Sequence, residues 1–352
     1  MILANESIVT VYADTMAAIL LFGLIIVSNR FSTGKDKNAS KLYLYLCVMV
    51  LINAVSNAIS YAFHHQVLNV PQFVKCIAPT ISEVSALIAL FIWMLYVDYK
   101  IYGSWDRLKF KYRKYQIPLY IFEILSVVNL FTGIMFTMDE NTMFVAKPLF
   151  YAMTFMQYFY GCVPVYTIIK YHMTRGRLHF FHITPVAGPV IISSLFTLFT
   201  PYSARAFGFA IALVFLHLSY VDAWRFDDFE SGFFNSHYIN YILTEIGDKK
   251  RDYKSAITFF TYGDPRGLFD ILKKEVPKDG EVIRMDEDRF LLFSPSSKGS
   301  MQKVLTDIIM DEAEEHDSLH PEHPIGLTID YKVRKKKETP EEFVRKVSGR
   351  AD

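Results

Sequence analysis

Apolar residues dominate positions 1 to about 222, and a mixed polar pattern fills 223–352. Seven stretches in the first part approach the roughly 20 apolar residues that a membrane-spanning helix needs: 7–28, 42–62, 77–97, 117–136, 148–169, 184–200 and 204–222. The last two are divided only by the turn Thr200-Pro201-Tyr202-Ser203. A hairpin is expected there, because one long helix would carry a proline at its centre. The second part alternates in period. Helices are expected at Ser236–Ile246, Pro265–Glu275 and Lys298–His316, with strands at Ala256–Tyr262 and Ile325–Val333. Glu281–Arg284 and Phe290–Ser294 read as a hairpin. Thr339 before Pro340 marks the start of a last helix. The expected fold is therefore multi-domain: an all-α seven-helix transmembrane bundle over 1–224, then a small α+β domain over 225–352, in the order β-α-β-β-α-β.

Charge gives the spans a direction. The net charge is only +1, but the bases are unevenly placed. Arg30, Lys35, Lys37 and Lys41 follow the first span. Lys100, Arg107, Lys109, Lys111, Arg113 and Lys114 follow the third, and Lys170, Arg175 and Arg177 the fifth. The other side holds Lys75, Lys147 and Arg205. Basic residues in short loops mark the cytoplasmic face. The N-terminus is thus expected outside and the second domain inside, on the inner membrane of a bacterial-type cell. The first span lacks a basic n-region, so no cleavable leader is expected. The segment Lys100–Lys114 also carries Tyr102, Trp105, Phe110 and Tyr112, a mixture that suits anionic lipid headgroups rather than nucleic acid.

Composition adds a few exclusions. Of 352 residues, 52% are hydrophobic, and the three cysteines Cys47, Cys76 and Cys162 show no metal or disulfide spacing. His316, His320 and His323 lie near Glu314, Glu315 and Glu322 in what reads as a solvated loop. No metal and no cofactor are expected.

Polar residues within the apolar stretches point to a site. Asn53, Ser56, Asn57 and Ser60 recur at helical spacing and share one face. Glu83, Gln157, Asp14 and Glu123 lie in neighbouring spans. Such groups turn toward the bundle interior. Glu83, Asn53, Asn57 and Gln157 are the candidate lining of a small-ligand pocket; the competing role is hydrogen bonding between helices.

In the second domain, Asp228-Phe229-Glu230-Ser231-Gly232-Phe233-Phe234-Asn235 resembles the D-x-x-T-G-L-x-N-R opening of GGDEF domains. Arg284-Met285-Asp286-Glu287-Asp288-Arg289-Phe290 is similar to their R-x-G-G-D-E-F hairpin. Gly326–Asp330 and Thr339–Phe343 resemble the family's closing strand and helix. The resemblance covers about 226–348 and implies a ferredoxin-like βαββαβ fold. GGDEF domains join two GTP molecules into cyclic di-GMP. Here Asp286 and Glu287 replace the two glycines, adding bulk and negative charge where a nucleotide would lie. Asp288 matches an acidic metal ligand, Arg289 replaces the next acid, and Thr261-Tyr262-Gly263-Asp264 lacks the D-x-D carboxylates. The guanine-binding stretch and the inhibitory R-x-x-D, where Pro277–Gly280 stand, are missing.

Three functions compete. One is a signalling receptor with a catalytically inactive GGDEF-like output domain, which forms a homodimer or binds a cytoplasmic protein partner. The second is an active diguanylate cyclase. The third is a transporter or lipid-handling protein with a regulatory tail. The short junction Trp224–Asp228 favours the first, because a stiff link passes helix movement on.

Overall fold

The computed structural model describes residues 2–30, 37–63, 70–102, 104–175, 183–199, 203–228, 230–247, 252–276, 280–294 and 299–349. The basic residues Lys35 and Arg177, the turn residues Thr200, Pro201 and Tyr202, and Pro277, Lys278, Asp279 and Lys298 lie outside them. Two compact units divide the chain, Met1–Asp222 and Ala223–Asp352.

The first unit contains α1 (Ile2–Arg30), α2 (Lys37–Ala62), α3 (Gln72–Tyr102) and α4 (Trp105–Thr132). A two-stranded antiparallel hairpin of β1 (Phe136–Met138) and β2 (Phe144–Ala146) follows, then α5 (Pro148–Arg175), α6 (Ile183–Phe199) and α7 (Arg205–Trp224). Among the described residues four helices are long and apolar enough to cross a membrane: Ser7–Ser28, Asn38–Ala62, Gln72–Tyr102 and Trp105–Thr132. All seven expected stretches fall largely in helices. The described apolar parts of α6 and α7, Val186–Thr197 and Arg205–Ser219, are shorter, and α5 is diluted by Tyr151, Gln157, Tyr158, Tyr160 and Tyr166.

The helices divide their faces sharply. On α1, Thr10, Asp14, Ala17, Leu21, Leu24 and Ser28 are buried at alternating steps of four and three, while Ile8, Ile19, Phe22 and Ile26 are exposed. That is one inward stripe with apolar side chains outside it, the arrangement a hydrocarbon surround requires.

The fourth expected span ran to residue 136, but α4 ends at Thr132 and the chain turns into the β1–β2 hairpin. Gly133 ends α4 in the left-handed region, at φ 60°, a conformation that favours glycine. Asn129 Oδ1 then accepts from the Met135 and Phe136 amides at 2.7 and 3.1 Å. Phe136 stacks on Phe144 at a centroid distance of 4.7 Å, and both meet Phe150 edge-on at 6.0 and 4.9 Å.

A second correction concerns Lys100–Lys114. Apart from a break around Ser104, which caps α4, this segment is helical: the end of α3 and the first turns of α4. The cause is Asp98 on α3, only 1% exposed. Its carboxylate accepts from Arg107 Nε at 3.1 Å and Lys111 Nζ at 2.6 Å. The Arg107 guanidinium also sits 3.7 Å from the Tyr102 ring centroid. Two of the bases thus serve the protein, while Lys109 and Phe110 face outward.

The second unit contains β3 (Phe234–Asn235), α8 (Tyr238–Gly247), β4 (Ser255–Thr261), α9 (Arg266–Glu275), β5 (Glu281–Arg284), β6 (Arg289–Ser294), α10 (Gly299–Leu319), β7 (Leu327–Val333) and α11 (Pro340–Ser348). The sheet order is β3-β5-β6-β4-β7. All pairs are antiparallel except β3 with β5. Ile257 and Phe259 on β4 share a core with Leu268, Phe269 and Leu272 of α9 and Ile309 and Ala313 of α10. Their alternate neighbours Ala256 and Thr258 are buried too, as are Ile239 and Ile242 of α8 and Phe343, Val344 and Val347 of α11. β4 is therefore covered on both faces, which explains why it is apolar at successive positions and not only at alternate ones. A capping box holds α11: Thr339 Oγ1 accepts from the Glu342 amide at 3.2 Å, and Glu342 accepts from the Thr339 amide at 2.8 Å. His316 lies on α10 and not on a loop; its ring is 4.8 Å from that of His320.

Candidate functional site

Glu83, Asn53, Asn57 and Gln157 line one cavity of about 320 Å³ inside the first unit. They come from three helices. Asn53 and Asn57 are one turn apart on α2, Glu83 is on α3 and Gln157 on α5. Ser60 and Ser82 join them, with Ser203 and Arg205 at the start of α7. Phe144, Phe150, Leu90 and Phe209 form apolar wall. Ser56 of the same α2 pattern is buried but does not line the cavity, and neither does Glu123.

The amide side chains all point their nitrogens into the protein. Asn53 Nδ2 donates to the Ser82 carbonyl at 2.8 Å and to Ser82 Oγ at 3.0 Å. Asn57 Nδ2 donates to Asp14 Oδ2 at 2.6 Å. Gln157 Nε2 donates to Glu83 Oε2 at 2.9 Å. Interhelical hydrogen bonding and cavity lining are therefore both roles of the same residues. Asp14, fully buried, stands behind Asn57, and its Oδ1 has no hydrogen-bond partner among the described residues. Arg205 lies within electrostatic reach of Asp14. No ion pair joins Glu83 or Arg205 to another described residue.

Sequence reading found the amides and Glu83 but not Ser82, nor the tie from Asn57 to Asp14. Asp14 was visible only as one acid in an apolar helix. Arg205 was counted solely as a charge marking one side of the membrane. The missing signal was helix packing, since residues far apart in sequence meet here.

In the second unit the opening signature forms a tight turn. Asp228 Oδ2 accepts from the Ser231 amide at 2.9 Å and from Ser231 Oγ at 2.5 Å. The Gly232 amide returns to the Asp228 carbonyl at 2.8 Å, with Gly232 at φ 74°. Asn235 Nδ2 donates to the Arg225 carbonyl at 2.9 Å. Arg284, the last residue of β5 and the first of the second signature, reaches Asp228 at 3.1 Å and Glu230 at 2.6 Å. Burial pushes Asp228 up, but the Ser231 and Arg284 donors together outweigh it and hold the carboxyl below its usual range.

The second signature splits. Asp286, Glu287 and Asp288 are exposed at the β5–β6 tip. Arg289 is in β6, opposite Phe260, and its Nη2 donates to the Val347 carbonyl at 2.6 Å. Phe290 is fully buried in the core. Asp264, nearest to the family's other carboxylate in sequence, is taken by Arg266 at 2.9 Å, which holds the carboxyl below its ordinary range. Asp317 is similarly lowered: its burial opposes this, but the Ile325 and Gly326 amides donate to it at 2.6 and 3.0 Å. No metal-holding group of three or more His, Cys, Asp or Glu occurs among the described residues.

No protein-family model matches this chain, and no curated protein matches it.

Proposed function

We propose that this chain is a bacterial-type membrane signalling receptor. A seven-helix bundle with its N-terminus outside binds a small ligand, and a non-catalytic GGDEF-like domain on the cytoplasmic side passes the signal on. The cavity carries the reading. Charged and amide side chains are costly inside an apolar bundle, yet here they line an open volume of ligand size. The charge bias of the connections supports a position toward the outer face for that cavity, which is lined in part by β2 and by the segment before α7. In the second unit, β4, β5, β6 and β7 have the antiparallel order β5-β6-β4-β7. That order supports a ferredoxin-like fold. The acidic tip at Asp286–Asp288 supports output without nucleotide chemistry, through a second copy or a cytoplasmic protein.

The test is occlusion of the cavity in the full-length protein. Ala86→Phe puts a ring into the cavity in place of a ligand. The reading expects changed amide exchange across residues 225–235 of the second unit. Unchanged exchange there, with the bundle still folded, contradicts it.

A further inference from the structure

We propose that the cavity holds a small organic ammonium ion, its cationic head at Glu83 and its apolar body against Phe144, Phe150 and Phe209. This rests on the receptor reading above and names the ligand class. The first argument is the sense of the hydrogen bonds. A backbone carbonyl and a carboxylate accept only, so the Asn53 and Gln157 amides must present nitrogen to Ser82 and Glu83. Asn57 does the same toward Asp14. Each is left with its carbonyl oxygen, and none of these oxygens is engaged by a described residue. The wall therefore offers acceptors: three amide oxygens and the Glu83 carboxylate. An ammonium brings donors and no acceptor.

The second argument is charge. Asp14 and Glu83 are two carboxylates in the apolar unit, against the single guanidinium of Arg205 on the cavity wall. No ion pair joins Glu83 to another described residue, and its Oε2 accepts from the neutral Gln157 amide at 2.9 Å. An uncompensated charge in a low-dielectric bundle favours a cation beside it.

The native thiols supply the readout. Cys47 and Cys76 are buried and Cys162 is exposed. In full-length protein carrying Cys162→Ser, heating uncovers Cys47 and Cys76 to a thiol-reactive dye. Three probes share one apolar body: phenethylamine, phenethyl alcohol and 3-phenylpropionate. The proposal expects a saturable upward shift with phenethylamine alone. Glu83→Gln weakens that binding about 30-fold or more, since it removes one partner of a desolvated charge pair. Arg205→Gln strengthens it by roughly 5-fold, because a repelling cation is gone. The Arg205 variant decides the matter if the Glu83 variant does not fold. No saturable shift with phenethylamine, an equal shift with the alcohol or the carboxylate, or amine binding untouched by Glu83→Gln overturns the proposal. Such a result leaves the receptor reading standing if Ala86→Phe still alters exchange in the second unit. Amine binding with no change in that exchange sinks the receptor reading alone.

Discussion

Asp14, Glu83 and Asp98 in the helical unit and Asp286, Glu287 and Asp288 in the second unit are carboxylates under opposite conditions. The first three lie in or against an apolar bundle, where an ionised group must find partners. Asp98 has two bases, Glu83 has Gln157, and Asp14 has Asn57 with Arg205 nearby. The tip residues face water, which solvates them without help. A carboxylate that the fold must hold inside carries information about function. One that solvent holds carries little, even inside a recognisable motif.

The sharpest contrast lies within the second signature itself, between Phe290 in the core and the acids beside it. Phe290→Ala is expected to cost the second unit about 3–5 kcal/mol through the cavity it leaves. Urea unfolding read by exchange in β4 and β6 measures it, and labelling of buried Cys76 should not move. Next comes Asp98→Ala, expected to destabilise the bundle by about 2 kcal/mol. That is less than a fully buried pair would cost, because Arg107 and Lys111 are half-exposed and can turn to water. Thermal exposure of the buried thiols reports it. A smaller effect depends on pH. Asp228 and Asp317 titrate below their unfolded values, so their contribution is complete at neutral pH and is lost as pH falls below about 4 through the folded values. Asp228→Asn should flatten the acid limb of second-unit stability; an unchanged limb would show that its turn bonds do not matter. Smallest of all, Asp286→Asn, Glu287→Gln and Asp288→Asn should each change stability by no more than about 0.5 kcal/mol. A larger loss at the tip would erase the contrast.

Much of this was legible along the chain. The apolar stretches marked the helices, and a short, apolar, β-prone run marked β4. Thr339-Pro340 located α11 because capping chemistry is local. The amide face of α2 was visible because Asn53 and Asn57 repeat at one turn. What stayed hidden depended on distant neighbours. The third expected span stopped at 97, just short of Asp98, and only the closeness of Asp98 to Arg107 and Lys111 turned an expected basic loop into helix. The β1–β2 hairpin depends on Asn129 reaching two amides beyond the end of its own helix. Arg205 became part of the cavity only when α7 was packed beside α2 and α3.

The central claim is a division of labour: the bundle senses, and the second unit reports without nucleotide chemistry. It is tested most directly by incubating the purified full-length protein with GTP and magnesium and measuring cyclic di-GMP. The account predicts no product, with wild type and Asp288→Ala indistinguishable. Product that forms with wild type and disappears with Asp288→Ala would contradict it.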